Sequence, residues 1–597
     1  MKVRLPFLVY VFFTFNYAPS FAQTNSVGKQ NNRFWGLHFD FHAKSTDTLI
    51  GTQVNNGLAK IINVARPEFI QVDVKGHKGF SSYPTKIGIN PKGMVSDLLL
   101  RYREITRQKK VALYGHYSSI LDEEAVSIHP SWGRINASGK LDTLSVSLFS
   151  NYTNAIFLPQ LKELVTKYSL DGLWVDGDVW AIRPDYSEKA SAAFKVFQQS
   201  SLNKKSYDGE IIKKFTQAAF LSYFSNYVNN VHSINAKFKI ASNWAYSSRM
   251  PGPITVKVDY LTGDLSNYSG NPIDNACLES RIFTSQKKNW DLMSWGYLSK
   301  SKYYKTAEEL KLEAALVISQ GGGYSIYYPQ NHDGTLPTNN LETMKAVGNF
   351  CLNRKKYCFQ TNPYPQIAML YSEFGSKCLN SYIFSDNRMG VTYVKSVLNN
   401  LLAHQYSVQI LQEHQFEGIM NKYPIIIITD WVQILPTFLN KIQGYIKRGG
   451  KIVVVGQNSI NIIKSVLQVT NANLKPNGYY ESGKRGVYFL LNVKDLSSTV
   501  DKIFNPLVEV YSNDVFQVTI NTKNKHKLIH LVNLNKKFLS HIIPRSKAVT
   551  VAFDNSLAIA SVKLQPQNQV LKITTHNGKK QVVIPNGIDI YSILEIK

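Results

Sequence analysis

Residues 170–180 read Leu-Asp-Gly-Leu-Trp-Val-Asp-Gly-Asp-Val-Trp and give the clearest structural signal in the chain. An apolar run, 173–175, is followed by Asp176 and then by a glycine. Short apolar runs bounded by turn residues are typical of strands that are buried on both faces, as in parallel sheets. The stretch therefore predicts a buried strand whose last residue is a carboxylate.

Seven further apolar segments flank this one, with helix-like stretches between them. The eight predicted strands begin at Phe34, Phe69, Val111, Gly172, Lys239, Val258, Asp291 and Tyr324. Intervening stretches such as 96–109, 154–168 and 306–319 repeat apolar residues at helical spacing. Eight alternating strands and helices are typical of a closed barrel. We predict an α/β fold with a (β/α)8 TIM barrel as the catalytic domain, over residues 23–358.

Two smaller domains are predicted after the barrel. Residues 359–470 contain the buried-strand runs QIAMLY, YPIIIIT and KIVVVG between helical segments, which indicates a flavodoxin-like sheet. This domain has no glycine-rich phosphate loop and no cysteine on a strand-to-helix turn, so we interpret it as non-catalytic. Residues 471–597 contain short alternating strands separated by turns, which predicts an antiparallel β-sandwich.

The N-terminus has the pattern of an export signal. Met1–Ala22 combines two basic residues, an apolar run and small residues before Gln23, which predicts a cleaved signal peptide and a periplasmic or extracellular product. No later apolar run is long enough to span a bilayer, so no transmembrane segment is predicted. Cys277, Cys351, Cys358 and Cys378 form no CxxC pair, which leaves a disulfide among the last three open.

The chain of 597 residues carries a net charge of +27, and most of the surplus lies in residues 351–597. We find no zinc-finger spacing, no aromatic RNA-binding run and no dense basic block, so no nucleic-acid partner is predicted. One hypothesis is that the basic C-terminal part holds the protein near an anionic oligo- or polysaccharide.

The carboxylates at strand ends indicate hydrolysis of a glycosidic bond. Such reactions usually need one carboxylate as nucleophile or base and a second as acid. Asp176 is the candidate nucleophile, and its candidate partners are Glu279, Asp264, Asp40 and Glu123. We select Glu279 as acid/base because it follows the sixth strand and has Arg281 nearby, which would tune its pKa.

Other polar and aromatic residues cluster at the same strand ends, where TIM-barrel enzymes bind substrate. The predicted substrate-binding residues are His38, His77, His116, Tyr117, Trp174, Asp178, Asn243, Trp244 and Trp295. Six tryptophans at or beside barrel strands fit a carbohydrate cleft, namely Trp35, Trp174, Trp180, Trp244, Trp290 and Trp295. Three histidines also invite a zinc interpretation, but without an HExxH or equivalent we predict no metal and no cofactor.

Five motifs occur in order along residues 30–350. They are RFWGLH at 33–38, KGHKGF at 75–80, YGHYS at 114–118, QLKEL at 160–164 leading to WVDG at 174–177, and GGG at 321–323 followed by DG at 333–334. This series resembles the α-L-fucosidase family of retaining glycoside hydrolases. The resemblance implies that Asp176 is the nucleophile and that His38 and His77 contact the sugar. Gly76 and Lys78 depart from the family, which has His and Asp at these positions.

The domains after the barrel are similar to those of the β-galactosidase family whose middle domain trimerises. That resemblance implies an amidotransferase-like middle domain without catalytic residues, a small β-domain and possible homo-oligomerisation through the middle domain.

Together these observations predict a secreted, retaining exo-glycosidase that is α-L-fucosidase-like. Two alternatives remain open: a galactosidase or other related exo-glycosidase, which Gly76 and Lys78 favour, and a catalytically silent carbohydrate-binding protein.

Overall fold

The computed structural model describes residues 33–51, 57–200, 208–266, 270–298, 303–379, 389–470, 479–482, 485–535 and 543–597. The predicted signal peptide, Met1–Ala22, lies outside these residues. Within them, no helix is both long enough and apolar enough to cross a membrane.

The first part of the chain builds the predicted barrel from eight parallel strands. They are β1 Trp35–Asp40, β2 Phe69–Lys75, β3 Ala112–Ser118, β4 Gly172–Asp176, β5 Lys239–Ser242, β6 Leu261–Leu265, β7 Trp290–Trp295 and β8 Gly323–Pro329. Their order in the sheet is β5-β4-β3-β2-β1-β8-β7-β6. Each neighbouring pair is parallel, as in a (β/α)8 barrel.

The barrel is least well paired at the join between β5 and β6, where few backbone hydrogen bonds connect the two strands. Two backbone hydrogen bonds cross it, from Asp259 N–H to the carbonyl of Ile240 (3.0 Å) and from Trp244 N–H to the carbonyl of Thr262 (3.0 Å). The connection over residues 243–260, all of it described, contains no helix. The sheet is therefore nearly closed, with its least paired edge between β5 and β6.

Helices cover the outside of the barrel and present apolar residues to the strands. They are α1 Gly57–Ala65, α2 Leu98–Lys109, α3 Glu123–Ile128, α4 Leu158–Thr166, α5 Glu188–Ser200, α6 Asp208–Ile234, α7 Pro272–Ser285, α8 Ala307–Ile318, α9 Leu341–Leu352 and α10 Lys355–Cys358. A π-helical turn, Thr153–Phe157, precedes α4, and a 3-10 turn, Pro130–Trp132, follows α3. Two short hairpins, Gly133–Ile135 with Leu141–Val146 and Tyr297–Leu298 with Tyr303–Tyr304, extend the loops.

A buried cation fills the N-terminal end of the barrel. The Arg33 guanidinium carbon lies 3.9 Å from the ring centre of Phe69, 4.3 Å from that of Tyr114 and 4.1 Å from that of Tyr260. Its Nε donates to Asp291 Oδ2 at 2.5 Å. Cation–π contacts and a buried ion pair therefore stabilise the floor of the barrel.

The second part forms an α/β sheet. Its strands are β9 Ile367–Leu370, β10 Val408–Leu411, β11 Ile425–Ile428, β12 Lys451–Val455, β13 Tyr479–Ser482 and β14 Arg485–Leu490, in the order β10-β9-β11-β12-β14-β13. All pairs are parallel except β13 with β14. The first five positions follow the flavodoxin-like order. Its helices are α11 Glu373–Leu379, α12 Met389–Ala403, α13 Pro436–Lys447, α14 Gln457–Leu467 and α15 Leu496–Ile503, with 3-10 turns at Glu413–Phe416, Met420–Lys422 and Val493–Asp495.

Two antiparallel sheets complete the chain. Their strands are β15 Val508–Tyr511, β16 Phe516–Lys523, β17 His526–Asn533, β18 Val549–Phe553, β19 Val562–Gln565, β20 Gln569–Leu571, β21 Thr574–His576, β22 Lys579–Ile584 and β23 Tyr591–Ile596. One sheet has the order Asn362–Pro363, β16, β17, β23, β19, β20, and the other β15-β18-β22-β21. Their facing apolar residues form one core, as in a β-sandwich.

The predicted fold class is confirmed in all three parts, while the predicted domain boundaries at 358 and 470 stay predictions. The four cysteines form no disulfide in the structure.

Candidate active site

Consecutive side chains in a barrel strand alternate between the interior and the surrounding helices. In β3, His116 and Ser118 face the interior, whereas Tyr117 between them faces the helices. Tyr117 is fully buried, and its hydroxyl donates to Gln160 Oε1 at 2.5 Å. The structure therefore places the predicted binding residue Tyr117 outside the barrel interior.

Asp176 ends β4 at the C-terminal mouth of the barrel, and three side chains contact its carboxylate. Trp180 Nε1 and Asn243 Nδ2 donate to Oδ1 at 2.7 and 3.0 Å, and His116 Nε2 lies 3.3 Å from Oδ2. Gly177 has a φ of +63°, a left-handed conformation that favours glycine, and this turn brings Trp180 back to Asp176. Burial raises the pKa of Asp176, but the hydrogen bond from His116 and its charge hold that pKa well below its usual range.

A second carboxylate, Asp264 in β6, lies across the join between β5 and β6. Trp295 Nε1 donates to its Oδ2 at 3.1 Å, and Asn243 Nδ2 lies 3.4 Å from its Oδ1. Burial, followed by the negative charge of Asp176, raises the pKa of Asp264. Because Asn243 Nδ2 reaches both carboxylates, their Oδ1 atoms are no further apart than the sum of its two distances. The site therefore pairs an ionised carboxylate with one that is pushed towards its protonated form.

His38 lies deeper in the barrel and is almost completely buried. Its Nε2 is 2.5 Å from Asp40 Oδ2, and Gln71 Nε2 donates to its Nδ1 at 2.6 Å. The hydroxyl of Tyr327 donates to the other oxygen of Asp40 at 2.8 Å. Burial lowers the pKa of His38. Both ring nitrogens have partners, so His38 is a fixed, neutral part of the floor of the site.

His77 lies at the mouth, with 30% of its side chain exposed. The hydroxyl of Ser118 donates to the carbonyl of Leu121 (3.0 Å), so His77 Nδ1, 2.7 Å from that hydroxyl oxygen, is the donor to it. Burial, followed by the charge of His42, lowers the pKa of His77 to about 3. His77 Nε2 therefore carries a lone pair 3.6 Å from Asp176 Oδ2 and can accept a hydrogen bond from a ligand hydroxyl.

Aromatic rings form a wall beside the two carboxylates. Trp295 and Tyr297 are stacked with ring centres 5.4 Å apart, and both meet Tyr327 edge-on. Trp174 packs below them against Met293 and Tyr327. A flat apolar surface next to hydrogen-bonding groups suits a sugar ring, which has C–H faces and hydroxyl edges.

The other tryptophans predicted for the cleft have different surroundings. Trp35 and Trp290 are buried in the main core, where the Trp35 indole donates to the carbonyl of Ala65. Trp244 is also buried, with the Arg249 guanidinium 4.8 Å from its ring centre. Trp180 donates to Asp176 and Trp295 to Asp264. A side-chain hydrogen bond from Trp244 also acts to lower the pKa of Asp264.

The structure does not bring Glu279 to Asp176. Glu279 lies in α7 and is 3% exposed, and its carboxylate accepts hydrogen bonds from the amide (3.1 Å) and hydroxyl groups of Ser248. The carbonyl of Ser248 in turn accepts from the hydroxyl of Tyr371 in the second domain (2.7 Å). Glu279 therefore lies on the face of α7 that is directed towards the junction of the two domains. The sequence position of Glu279, after β6, does not show which face of α7 it occupies.

Asp178 is likewise placed away from Asp176. It is fully buried and accepts hydrogen bonds from the Ser242 hydroxyl (2.7 Å), the Tyr227 hydroxyl (3.0 Å) and the Val179 amide (2.5 Å). Burial raises the pKa of Asp178 to about 7. These contacts hold the turn after β4 against α6.

The two remaining candidate acids also have other partners. Asp40 is paired with His38 in the floor, and Glu123 is paired with Lys78 at the surface.

The departure of Gly76 from the family motif has a local cause. A Cβ atom added at Gly76 would lie 2.6 Å from the main-chain Cα of His42. The chain after β1 therefore occupies the space that a side chain at residue 76 would need. The His42 ring stacks on that of His77, with ring centres 4.4 Å apart.

Sequence reasoning missed several residues of the interior. Gln71, Asp73 and Tyr327 point inwards, and His42 follows β1. Alternation within the strands would have found Gln71 and Asp73, since they alternate with the apolar residues Ile70, Val72 and Val74 of β2. Among the described residues, two groups come close enough to share a cation: His38, Asp40, His116 and His42, Asp73, His116.

Comparisons with known proteins identify a family and a shared fold. A family model described as Alpha-L-fucosidase matches residues 31–355. No curated protein sequence matches the chain.

Solved structures with low sequence identity share the fold over almost the whole chain. Alpha-L-fucosidase isoenzyme 2 from Paenibacillus thiaminolyticus is 14% identical with a TM-score of 0.78, covering 95% of this chain and 99% of that one. The β-galactosidase from Bacillus circulans sp. alkalophilus is 12% identical with a TM-score of 0.64 and the same coverage. The β-galactosidase from Rahnella sp. R3 is 10% identical with a TM-score of 0.67, covering 95% and 98%.

Proposed function

The chain belongs to the α-L-fucosidase family of glycoside hydrolases, and from this premise we propose that it removes terminal α-L-fucose-like sugars with retention of configuration. The observation that carries the proposal is the pair Asp176 and Asp264, bridged by the amide of Asn243. We assign Asp176 as the nucleophile and Asp264, in place of Glu279, as the acid/base.

The separation of the two carboxylates supports the retaining mechanism. Retaining enzymes hold their carboxyl groups ~5–5.5 Å apart, and inverting enzymes ~6.5–9.5 Å apart. Asn243 Nδ2 lies 3.0 Å from Asp176 Oδ1 and 3.4 Å from Asp264 Oδ1, so one amide group reaches both carboxylates, which favours the closer spacing of retaining enzymes.

In the first step, Asp176 attacks the anomeric carbon while Asp264 transfers its proton to the glycosidic oxygen. The glycosidic bond breaks, the aglycone leaves with that proton, and a glycosyl ester forms on Asp176. In the second step, the Asp264 carboxylate takes a proton from water, the water oxygen attacks the anomeric carbon, and Asp176 is released. The pKa of Asp264, raised by burial and by Asp176, fits a group that must first donate a proton.

The surrounding residues support the binding of a sugar. Trp180 and His116 orient the Asp176 carboxylate, and His77 Nε2 accepts from a sugar hydroxyl. Trp295 holds Asp264 through its indole N–H and offers its ring face to the sugar. His38 supports this layer from below, since both of its nitrogens are engaged.

A related exo-glycosidase activity, such as a galactosidase, is the second candidate. The main chain at His42 fills the space next to Gly76, so the wall of the site differs there from the family motif. We also propose export, on the basis of Met1–Ala22, and keep oligomerisation through the second domain as a prediction.

The test combines a substrate panel with azide rescue. The panel contains aryl α-L-fucoside, α- and β-galactosides, α-L-arabinoside and β-glucoside, and is offered to the wild type, Asp176→Ala, Asp264→Ala and Glu279→Gln. We expect hydrolysis of the fucoside by the wild type. With azide, Asp176→Ala should give a glycosyl azide of inverted configuration and Asp264→Ala one of retained configuration.

Three outcomes would contradict parts of the proposal. Turnover of another sugar alone would replace the fucoside assignment. A retained-configuration azide from a glutamine or alanine variant at Glu279, and none from Asp264→Ala, would return the acid/base role to Glu279. Sugar binding without turnover on any substrate, unchanged by Asp176→Ala, would indicate a binding protein.

A further inference from the structure

Three buried polar atoms beside the candidate active site have no hydrogen-bond partner among the described residues. They are Nδ1 of His42, Oδ1 of Asp73 and Nδ1 of His116. Asp73 and His116 are 4% and 3% exposed. The three side chains also form a group whose ligand atoms lie within 4.8 Å of one another. Unpaired buried polar atoms are costly, so three of them in one group of candidate ligands indicate a missing partner.

The partner must interact with two imidazole nitrogens and one carboxylate oxygen. His116 Nδ1 and Asp73 Oδ1 are 3.5 Å apart, a separation that two ligands of one tetrahedral ion can adopt. Asp73 and His116 lie in the neighbouring strands β2 and β3, and His42 lies two residues after the end of β1. The barrel strands therefore fix two of the three ligands, and the third comes from the adjoining loop.

The opposite nitrogen of each ring faces a carboxylate. His42 Nε2 lies 3.4 Å from Asp40 Oδ1, and His116 Nε2 lies 3.3 Å from Asp176 Oδ2. Histidines that bind metals usually donate their second N–H to a carboxylate, which fixes the ring and its tautomer. Asp73 is fixed in the same way, because its Oδ2 accepts from the Ser82 hydroxyl and lies 3.4 Å from the Ala43 amide.

The neighbouring group His38, Asp40 and His116 does not offer three ligand atoms without hydrogen bonds. His38 already receives a hydrogen bond from Gln71 at Nδ1 and contacts Asp40 at Nε2. Asp40 accepts a further hydrogen bond from Tyr327. The polar atoms of His38 and Asp40 are already hydrogen-bonded, whereas His42 Nδ1, Asp73 Oδ1 and His116 Nδ1 have no hydrogen bond to the described residues.

We propose that His42 Nδ1, Asp73 Oδ1 and His116 Nδ1 bind a divalent transition metal of the zinc type. Two imidazoles and one carboxylate are a ligand set that zinc accepts, with a fourth position left for water. Any proton on His116 Nδ1 leaves to solvent when the ion binds. The ion would lie behind the nucleophile, with the His116 ring between it and Asp176, and would keep the Nε2 proton of His116 directed at Asp176.

An alternative without metal is an imidazolium at His116 between Asp73 and Asp176. It accounts for the approach of Asp73 to His116. It leaves the buried Nδ1 of His42 without a hydrogen bond.

The experiment measures zinc in the tag-free, full-length protein after dialysis against micromolar zinc and then metal-free buffer. We expect about one zinc per chain, and an affinity lowered at least about 100-fold by Asp73→Asn and by His42→Gln, as measured by chelator competition. Asp176→Asn, which faces the other nitrogen of His116, should retain the ion. So should His332→Gln, which removes an exposed histidine paired with Asp47. Circular dichroism of each variant checks folding.

Zinc content below about one tenth of an equivalent in the wild type would overturn the proposal. So would an affinity that is the same in His42→Gln and in the wild type, because His42 is partly exposed and this variant should fold. Equal loss of zinc in His332→Gln and Asp73→Asn would indicate surface binding and would also overturn it.

Discussion

Asp264 is half-buried, and two side chains donate hydrogen bonds to its carboxylate. Asn243 Nδ2 lies 3.4 Å from Oδ1, and Trp295 Nε1 lies 3.1 Å from Oδ2. Its environment raises the pKa through burial and through the charge of Asp176. In the proposed mechanism this group must be protonated when the glycosidic bond breaks. The activity should therefore be lost as the pH rises through the raised pKa of Asp264.

We predict that Asp264→Asn removes this alkaline limb. Substrates with a poor leaving group should lose about 10²–10⁴-fold in kcat/KM, whereas dinitrophenyl glycosides, which need little protonation, should lose much less. The measurement is the pH dependence of kcat/KM for both substrate types. Glu279→Gln is the matched control, and an alkaline limb that disappears in this variant and persists in Asp264→Asn would contradict the assignment.

At the scale of single residues, the sequence indicates the position of one proposed catalytic residue more directly than that of the other. The position of Asp176 can be predicted from its strand alone, because the last residue of a barrel strand lies at the C-terminal mouth of the barrel. The acid/base could not be chosen in this way, because Glu279 and Asp264 both lie near the sixth strand. Asp264 is in the strand itself, whereas the orientation of Glu279 depends on how α7 packs against the second domain.

Among the elements of the fold, the floor of the barrel depends most on a single residue. Arg33 precedes β1 and contacts rings of β2 and β3 and the ring of Tyr260, the residue before β6, while its ion pair with Asp291 reaches β7. One cation thus links three strands and the residue that leads into a fourth.

We predict that Arg33→Met lowers the free energy of unfolding by about 3–5 kcal/mol, because Asp291 is left buried without its counter-ion. Urea unfolding followed by circular dichroism measures this change. The double variant Arg33→Met with Asp291→Leu is the control and should be more stable than the single variant. A single variant as stable as the wild type would contradict a structural role for the pair.

The strands themselves were predictable, because buried parallel strands have continuous apolar runs that are bounded by polar or turn residues. All eight predicted barrel strands are present. The thin join between β5 and β6 was not predictable, since it depends on a connection without a helix and on two backbone hydrogen bonds. Likewise, the clash at Gly76 depends on the path of the chain after β1, which no local pattern gives.

Across the whole molecule, the barrel and the second domain share one apolar core. A single cluster of buried residues runs from β1 through α7 to β12, and the β-sandwich has its own. Polar contacts cross the same boundary, including Arg281 Nε to the carbonyl of Val408 at 3.0 Å and Tyr371 to Ser248 at 2.7 Å. The first two parts should therefore unfold together.

We predict that hydrogen exchange at increasing denaturant shows peptides of β1 and of β11 opening in one step. A continuous core makes their unfolding cooperative. Peptides from β18 and β22, in the separate core of the sandwich, provide the internal comparison. Opening of β11 at clearly lower denaturant than β1 would show that the second domain is an independent unit.

The join between β5 and β6 has a consequence for how such an enzyme can evolve. The two carboxylates lie on opposite sides of it, Asp176 on β4 and Asp264 on β6, and the Asn243 amide spans the gap. Any substitution that loosens or tightens this edge also alters the span between nucleophile and acid. In the proposed mechanism the same few hydrogen bonds hold this edge and set the distance between the two carboxylates, so a substitution there is expected to change heat tolerance and reaction stereochemistry together.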